Sequence, residues 1–160
     1  MMETGRKTKL LQIGADGGRD RGKCFVLKEM SAYAAEKWAY RVLLALANGG
    51  GYRGVPPEAV GAGWAGLALV SMQALMGVRW PDAEPLLAEM MACVRIQPSP
   101  TNPEVVRDLV DGGTDGDDIQ EVATRVRLRK EVFLLHASFF MDAGLSGLMA
   151  QLGLPVLTRA

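Results

Sequence analysis

Hydrophobic and polar positions change their period several times along the chain. Residues 10–13 and 23–27 read as two short strands, Leu10 to Ile13 and Lys23 to Leu27, on either side of the glycine- and aspartate-rich stretch GADGGRDRG. That pattern predicts an N-terminal hairpin within residues 9–28. Its loop is longer than the roughly two to five residues of a tight hairpin, which predicts a mobile tip and a loosely specified register. From Ser31, which offers an N-cap hydroxyl, the period becomes helical through AYAAEKWAYRVLLALAN and stops at Asn48 and Gly49-Gly50-Gly51. At about 100° per residue, Ala35, Trp38, Ala39, Val42, Leu43 and Leu46 form the core stripe. Tyr33, Tyr40 and Leu44 gather on another side, either as further core or as surface for a partner.

A second helix is predicted from Glu58 to about Met76, with one row of Val60, Trp64, Leu67, Ser71 and Leu75 and an opposite row of Ala65, Leu69, Met72 and Met76. Apolar side chains on two sides require cover on two sides, so this helix is central or belongs to an oligomer interface. The uncharged run Ala59 to Gly77 approaches membrane-spanning length. Its four glycines, Ser71 and Gln73 dilute its transfer energy, and a buried helix is the preferred reading.

A third helix opens at Trp80-Pro81-Asp82 and runs through Met91 or Cys93, pointing Leu86, Leu87, Met90 and Met91 inward. Cys93 to Gln97 alternates like a strand, and Glu104 to Val110 is predicted as another, giving a small sheet with the hairpin. Asp117 or Asp118 then caps a fourth helix extending to about Asp142. Ile119, Val122, Ala123 and Val126 make its apolar stripe, with Glu121–Arg125 and Arg127–Glu131 spaced for surface ion pairs. In its second half Phe133, Ala137 and Phe140 lie on one side and Leu128, Val132, Leu135 and Phe139 on the other, so neighbouring material should wrap it. The tail repeats Leu145, Leu148, Met149 and Leu152 at helical spacing, either as a docked last helix or as an end that seats on another chain.

The expected class is therefore α+β and predominantly α-helical, with about four to five helices and a small antiparallel sheet including the N-terminal β-hairpin. One domain covers 1–160, made of the hairpin 9–28, a helical body 31–142 and a detachable C-terminal segment 144–160. Composition agrees: of 160 residues, 49% are hydrophobic and 22% charged, which is globular rather than disordered. The 18 basic and 18 acidic side chains cancel, so no overall field draws the chain to nucleic acid or to an anionic membrane. Cys24 and Cys93 have no metal or redox spacing and suit reduced thiols, and the N-terminus lacks a signal-peptide pattern.

Candidate chemistry is sparse. His136 sits between apolar neighbours without a Cys, Asp or Glu at metal spacing, and reads as a core or interface histidine. Ser71, Ser138 and Ser146 lack a nucleophile-elbow motif. None of GADGGRDRGK, NGGGYRG and DGGTDGDD has phosphate-loop spacing, and Asp111, Asp115, Asp117 and Asp118 lack the ligand order of a calcium loop. The expectation is a non-enzyme with no cofactor and no metal. Arg125, Arg127, Arg129 and Lys130 spread around their helix beside acidic neighbours, reading as a salt-bridged surface, with an acidic partner segment as the alternative.

Three segments in order, RGKCFVLKEMSAYAAEKWAYRVLLALA at 21–47, WPDAEPLLAEMMACVRIQP at 80–98 and DDIQEVATRVRLRKEVFLLH at 117–136, together resemble the tail assembly chaperones of long-tailed bacteriophages and prophages. The resemblance rests on core, capping and turn residues rather than on an active-site motif. It implies an assembly factor in the cytoplasm of the bacterial host that coats the tape measure protein and keeps it soluble until tail tube subunits polymerise around it. Such families often make a longer frameshifted form that recruits the tail tube protein. A homo-oligomer would use the two-sided helices, and Met72, Met76, Met90, Met91, Met141 and Met149 could adapt to a helical partner. The nominated contact residues are Tyr33, Tyr40, Leu44, Phe139 and Leu148. The alternative role is a structural tail or head-tail connector component of the virion.

Overall fold

In the computed structural model of the chain, residues 5–48 and 77–141 are described, with backbone alone at positions 43, 46, 47 and 137–141. The predicted second helix and the C-terminal segment lie outside the described residues. The fold is α+β. In chain order come strand β1 (Thr8–Gln12), a 3-10 helix (Ala15–Asp20), strand β2 (Cys24–Lys28), helix α1 (Ala32–Asn48), helix α2 (Trp80–Met91), strands β3 (Val94–Gln97) and β4 (Arg107–Asp108), and helix α3 (Val122–Met141). The four strands form one antiparallel sheet in the order β1-β2-β3-β4. Among the described residues no helix is long and apolar enough to cross a membrane.

The chain divides into two units, Met1–Ser31 with Leu87–His136 and Ala32–Leu86 with Ala137–Ala160. In the first, register puts Lys9 opposite Leu27 and Leu11 opposite Phe25, with Phe25 opposite Ile96 and Leu27 opposite Val94 on the next strand. Side chains of paired residues share a face, and Phe25, Leu27, Val94 and Ile96 are all buried there. Helix α3 covers this face. Lys9 reaches Glu131 with an ion pair, and the Met30 N–H donates to His136 Nε2 at 2.8 Å, so hairpin residues touch the helix at two levels. Between them Leu128 and Val132 complete the core.

The third fastening point corrects two expectations. The hairpin loop is folded into the 3-10 helix, and its last residue, Asp20, is fully buried. Asp20 accepts hydrogen bonds from the N–H groups of Gln120 (2.9 Å) and Glu121 (2.9 Å), at the entrance to α3, and from the Lys23 ammonium (2.7 Å). Lys23 also donates to the Asp118 carbonyl at 2.7 Å. A carboxylate beside the first turn favours the positive end of the helix dipole. Neither Asp117 nor Asp118 performs that task. Asp117 accepts from the N–H groups of Gly112, Gly113 and Thr114 and closes its own loop, while Asp118 takes the Arg107 guanidinium in a fork and the Val110 N–H. Loop N–H groups and the Arg107 guanidinium are nearer donors to these two carboxylates than the helix, which begins only at Val122. Gly18 makes the junction possible: its φ is +55°, and a Cβ there would lie 2.8 Å from the Glu121 carboxylate.

Other boundaries shift little. The hairpin strands lie within two residues of the predicted spans, and α1 and the third predicted helix, here α2, start and stop where capping and glycine signals place them. The strand predicted over Glu104 to Val110 shrinks to Arg107–Asp108. Asn102 and Val105 close a turn on one side and Asp118 takes the Val110 N–H on the other, which leaves only two residues for the ladder. In the second unit Trp38 and Ala39 are buried as expected, and the Trp38 indole N–H donates to the Leu86 carbonyl at 3.1 Å. Ala35 and Val42 of the predicted stripe are partly buried.

The acid limb of stability follows from these carboxylates. Burial alone would push the Asp20 carboxyl up, but Lys23, the Gln120 and Glu121 N–H groups and the Thr124 hydroxyl hold it below its usual value. The Arg107 fork does the same for Asp118. Both groups titrate lower in the folded chain than in the unfolded one. Their contribution is complete above the unfolded carboxylate value, about pH 4, and is lost as pH falls below it through the folded values. Replacing Asp20→Asn should cost about 3 kcal/mol near neutral pH in urea unfolding, because the half-buried Lys23 loses its ion-pair partner and the Gln120 and Glu121 N–H groups lose a charged acceptor, and should flatten the acid-side loss. An unchanged urea midpoint would show that this carboxylate does not fasten the helix.

Candidate partner-binding faces

Among the described residues, α1 and α3 each present a row of apolar side chains to solvent, and α2 exposes Trp80 at its start. On α1, Tyr33, Lys37, Tyr40 and Leu44 recur at helical spacing on one face. Tyr33 is 72% exposed, Tyr40 44% and Leu44 56%, while Trp38 and Ala39 take the buried side. The Lys37 ammonium stands 5.5 Å from the centre of the Tyr33 ring, so the end of this face is an aromatic surface capped by a cation. Between core and partner surface the sequence alone favours core for this cluster; in the structure it is surface. Of the remaining nominated residues, Phe139 lies within α3 but its side chain is outside the described residues, and Leu148 lies outside them altogether.

The second face was not foreseen. An amphipathic helix ordinarily buries its apolar stripe. In α3 the buried side is instead Thr124, Leu128, Val132 and His136, spaced by four residues. Of the stripe predicted from sequence only Ile119, just before the helix, is buried. Ala123 is exposed, Val122 is 76% exposed and Val126 58%, and Leu134 continues the same side at 37%. The reason lies at both ends of the buried segment. Asp20 fixes the entry, with a hydrogen bond to Thr124, and His136 fixes the exit by donating from Nδ1 to the Val132 carbonyl and accepting the Met30 N–H at Nε2. These polar anchors outweigh the apolar count of the two faces and rotate the valines outward.

The same rotation rearranges the charges. Glu121 does not pair with Arg125; it accepts from Arg19 Nε at 2.8 Å and from the Arg19 N–H at 3.3 Å, and its carboxyl is held below the usual range by that guanidinium. Glu131 is drawn to Lys9 rather than Arg127, and Arg125 pairs with Asp111. The acidic neighbours expected to balance the basic strip are engaged elsewhere.

Comparison of the chain with family models, with curated proteins and with solved structures gives no match. What the faces can do is therefore argued from their own chemistry. Both ring nitrogens of His136 are taken by backbone groups in a buried setting. Burial pushes the Cys93 thiol up to about 11, leaving it protonated at neutral pH. Among the described residues no group of three His, Cys, Asp or Glu side chains could hold a metal ion. Met90 and Met91, proposed as adaptable contact groups, are buried and fill the core. The exposed faces offer aromatic and aliphatic contact area edged by cations, which is suited to holding another chain.

The rotation of α3 has a direct mutational signature. Leu128→Ala should destabilise the chain by about 2–5 kcal/mol, whereas Val122→Ser with Val126→Ser should stay within about 0.5 kcal/mol of the parent in thermal or urea unfolding. The reverse order of costs would restore the face expected from sequence.

Proposed function

We propose that this chain is a tail assembly chaperone of a long-tailed phage or prophage, which binds the tape measure protein through protein–protein contacts and keeps it soluble while the tail is built. The observation that carries the proposal is the apolar surface on α1 and on α3, which the chain leaves in water on faces turned away from its cores. A tape measure protein, as the resemblance implies, presents long amphipathic helices, and such helices need apolar surfaces to shield their stripes. The resemblance of residues 21–47, 80–98 and 117–136 supports the same reading. The work is done in the cytoplasm of the host, without catalysis or cofactor. Exposed faces of this kind also suit self-association along an extended partner, so the working form is a homo-oligomer. Recruitment of the tail tube protein belongs to a longer frameshifted form.

Co-expression with the long coiled-coil-like protein encoded nearby in the same genome tests the proposal. The expected result is a soluble complex that co-purifies, with little of the partner soluble when expressed alone. In that complex Tyr40→Ser with Leu44→Ser should reduce recovery of the partner several-fold while leaving the urea midpoint of the free chain within about 0.5 kcal/mol of the parent. A partner that is equally soluble with and without this chain would overturn the chaperone reading. Detection of the chain in purified virions, at a stoichiometry matching a tail or connector ring, would favour the structural alternative.

A further inference from the structure

The outer face of α3 is both apolar and basic. Val122, Val126, Lys130 and Leu134 follow one another four residues apart, with Ala123 and Arg127 beside them. Arg125 and Arg129 border the row. In this span the acids are spoken for: Glu131 by Lys9, Glu121 by Arg19 and Asp111 by Arg125. Among the described residues Arg127, Arg129 and Lys130 form no ion pair, and the Nε of Arg129 is buried with no hydrogen-bond partner. Burial first, and the neighbouring Arg125 second, draw the Arg129 guanidinium below its usual value, against the pull of Asp111. Asp111 is paired with Arg125, which leaves Arg129 without an ion-pair partner among the described residues. The local surplus of positive charge contrasts with a chain whose total is neutral.

We propose that this face seats an acidic amphipathic helix of a partner protein, whose apolar stripe covers Val122, Val126 and Leu134 and whose flanking Glu or Asp side chains meet Arg127, Lys130 and the Arg125–Arg129 pair. Charge complementarity selects this occupant. A second copy of α3 would bring like charges together, and the remaining segments of the chain, 49–76 and 142–160, carry one Glu and one Asp against two Arg, with no acidic run to offer. The width of the face matches a helix, since residues four apart present a stripe along which another helix can lie. For the identity of the partner this inference rests on the chaperone reading; for its chemistry it rests on α3 alone.

The full chain can be tested with two synthetic heptad peptides, both with Leu at a and d, one with Glu and the other with Lys at e and g. In fluorescence anisotropy the Glu peptide should bind at least about tenfold more tightly than the Lys peptide, and the preference should shrink with added salt. Arg127→Glu with Lys130→Glu should reverse the order, and Val126→Asp should weaken the Glu peptide by about tenfold or more without moving the unfolding midpoint. Equal binding of the two peptides, or a preference untouched by charge reversal, overturns the proposal. So does binding of anionic phosphatidylglycerol vesicles, but not of the Glu peptide, that is lost in the same variants. The two readings separate in co-expression. If the charge-reversed chain still retains the tape measure protein, the chaperone role stands and the acidic-helix site falls; if the Glu peptide binds as expected but the tape measure protein is never retained, the reverse holds.

Discussion

A single buried carboxylate organises the sheet-containing unit. Asp20 ends the 3-10 helix within the hairpin loop, lies out of contact with water, and spends its acceptor capacity on two N–H groups at the entrance of α3, on Lys23 and on Thr124. A buried charge is tolerable only when it is paired and hydrogen-bonded this fully. Once those bonds are made the helix has no freedom to turn about its axis, because Thr124 must face inward and His136, three turns later, must meet Met30. Hydrophobic burial then follows the polar geometry instead of setting it. Leu128 and Val132 fill the space under the sheet, and Val122 and Val126 are left outside.

This order of control explains how far the sequence could be read. Helix α1 was legible because every signal for it is local: Ser31 before it, glycines after it, and a stripe centred on Trp38 and Ala39. The hairpin was legible from alternation, and the presence of a third strand from the strand-like run at 93–97, while the order of the strands in the sheet came from the structure. The face of α3 was not legible. Its two faces are almost equally apolar, so periodicity could not choose between them, and the choice was made by Asp20 and Met30, roughly a hundred residues earlier in the chain. The aspartates at 117 and 118 misled for a related reason. They stand where a cap would stand, but N–H groups of the glycine-rich loop claim Asp117, and the Arg107 guanidinium with the Val110 N–H claims Asp118.

The candidate site was half legible on the same grounds. Tyr33, Tyr40 and Leu44 could be grouped from spacing alone, and only their exposure depended on the folded structure. Val122 and Val126 were visible as a stripe, yet a stripe ordinarily signals core, and nothing in a single sequence distinguishes an apolar row meant for the interior from one kept for a partner. The basic strip shows the same ambiguity. Local spacing pairs Glu121 with Arg125 and Glu131 with Arg127; the folded chain sends both acids to Arg19 and Lys9 on the hairpin.

The Asp20 contact also spans most of the chain in time. Its two N–H partners lie 100 and 101 residues downstream, so during synthesis the hairpin leaves the ribosome long before the segment that completes its burial. Until then the carboxylate stays hydrated and the sheet stays uncovered on its apolar side. Closing so long a loop carries an entropic cost that local helices such as α1 do not meet. The last event in maturation of this unit is therefore the docking of α3, and the nascent chain must remain unaggregated with Phe25 and Leu27 open to water until it occurs.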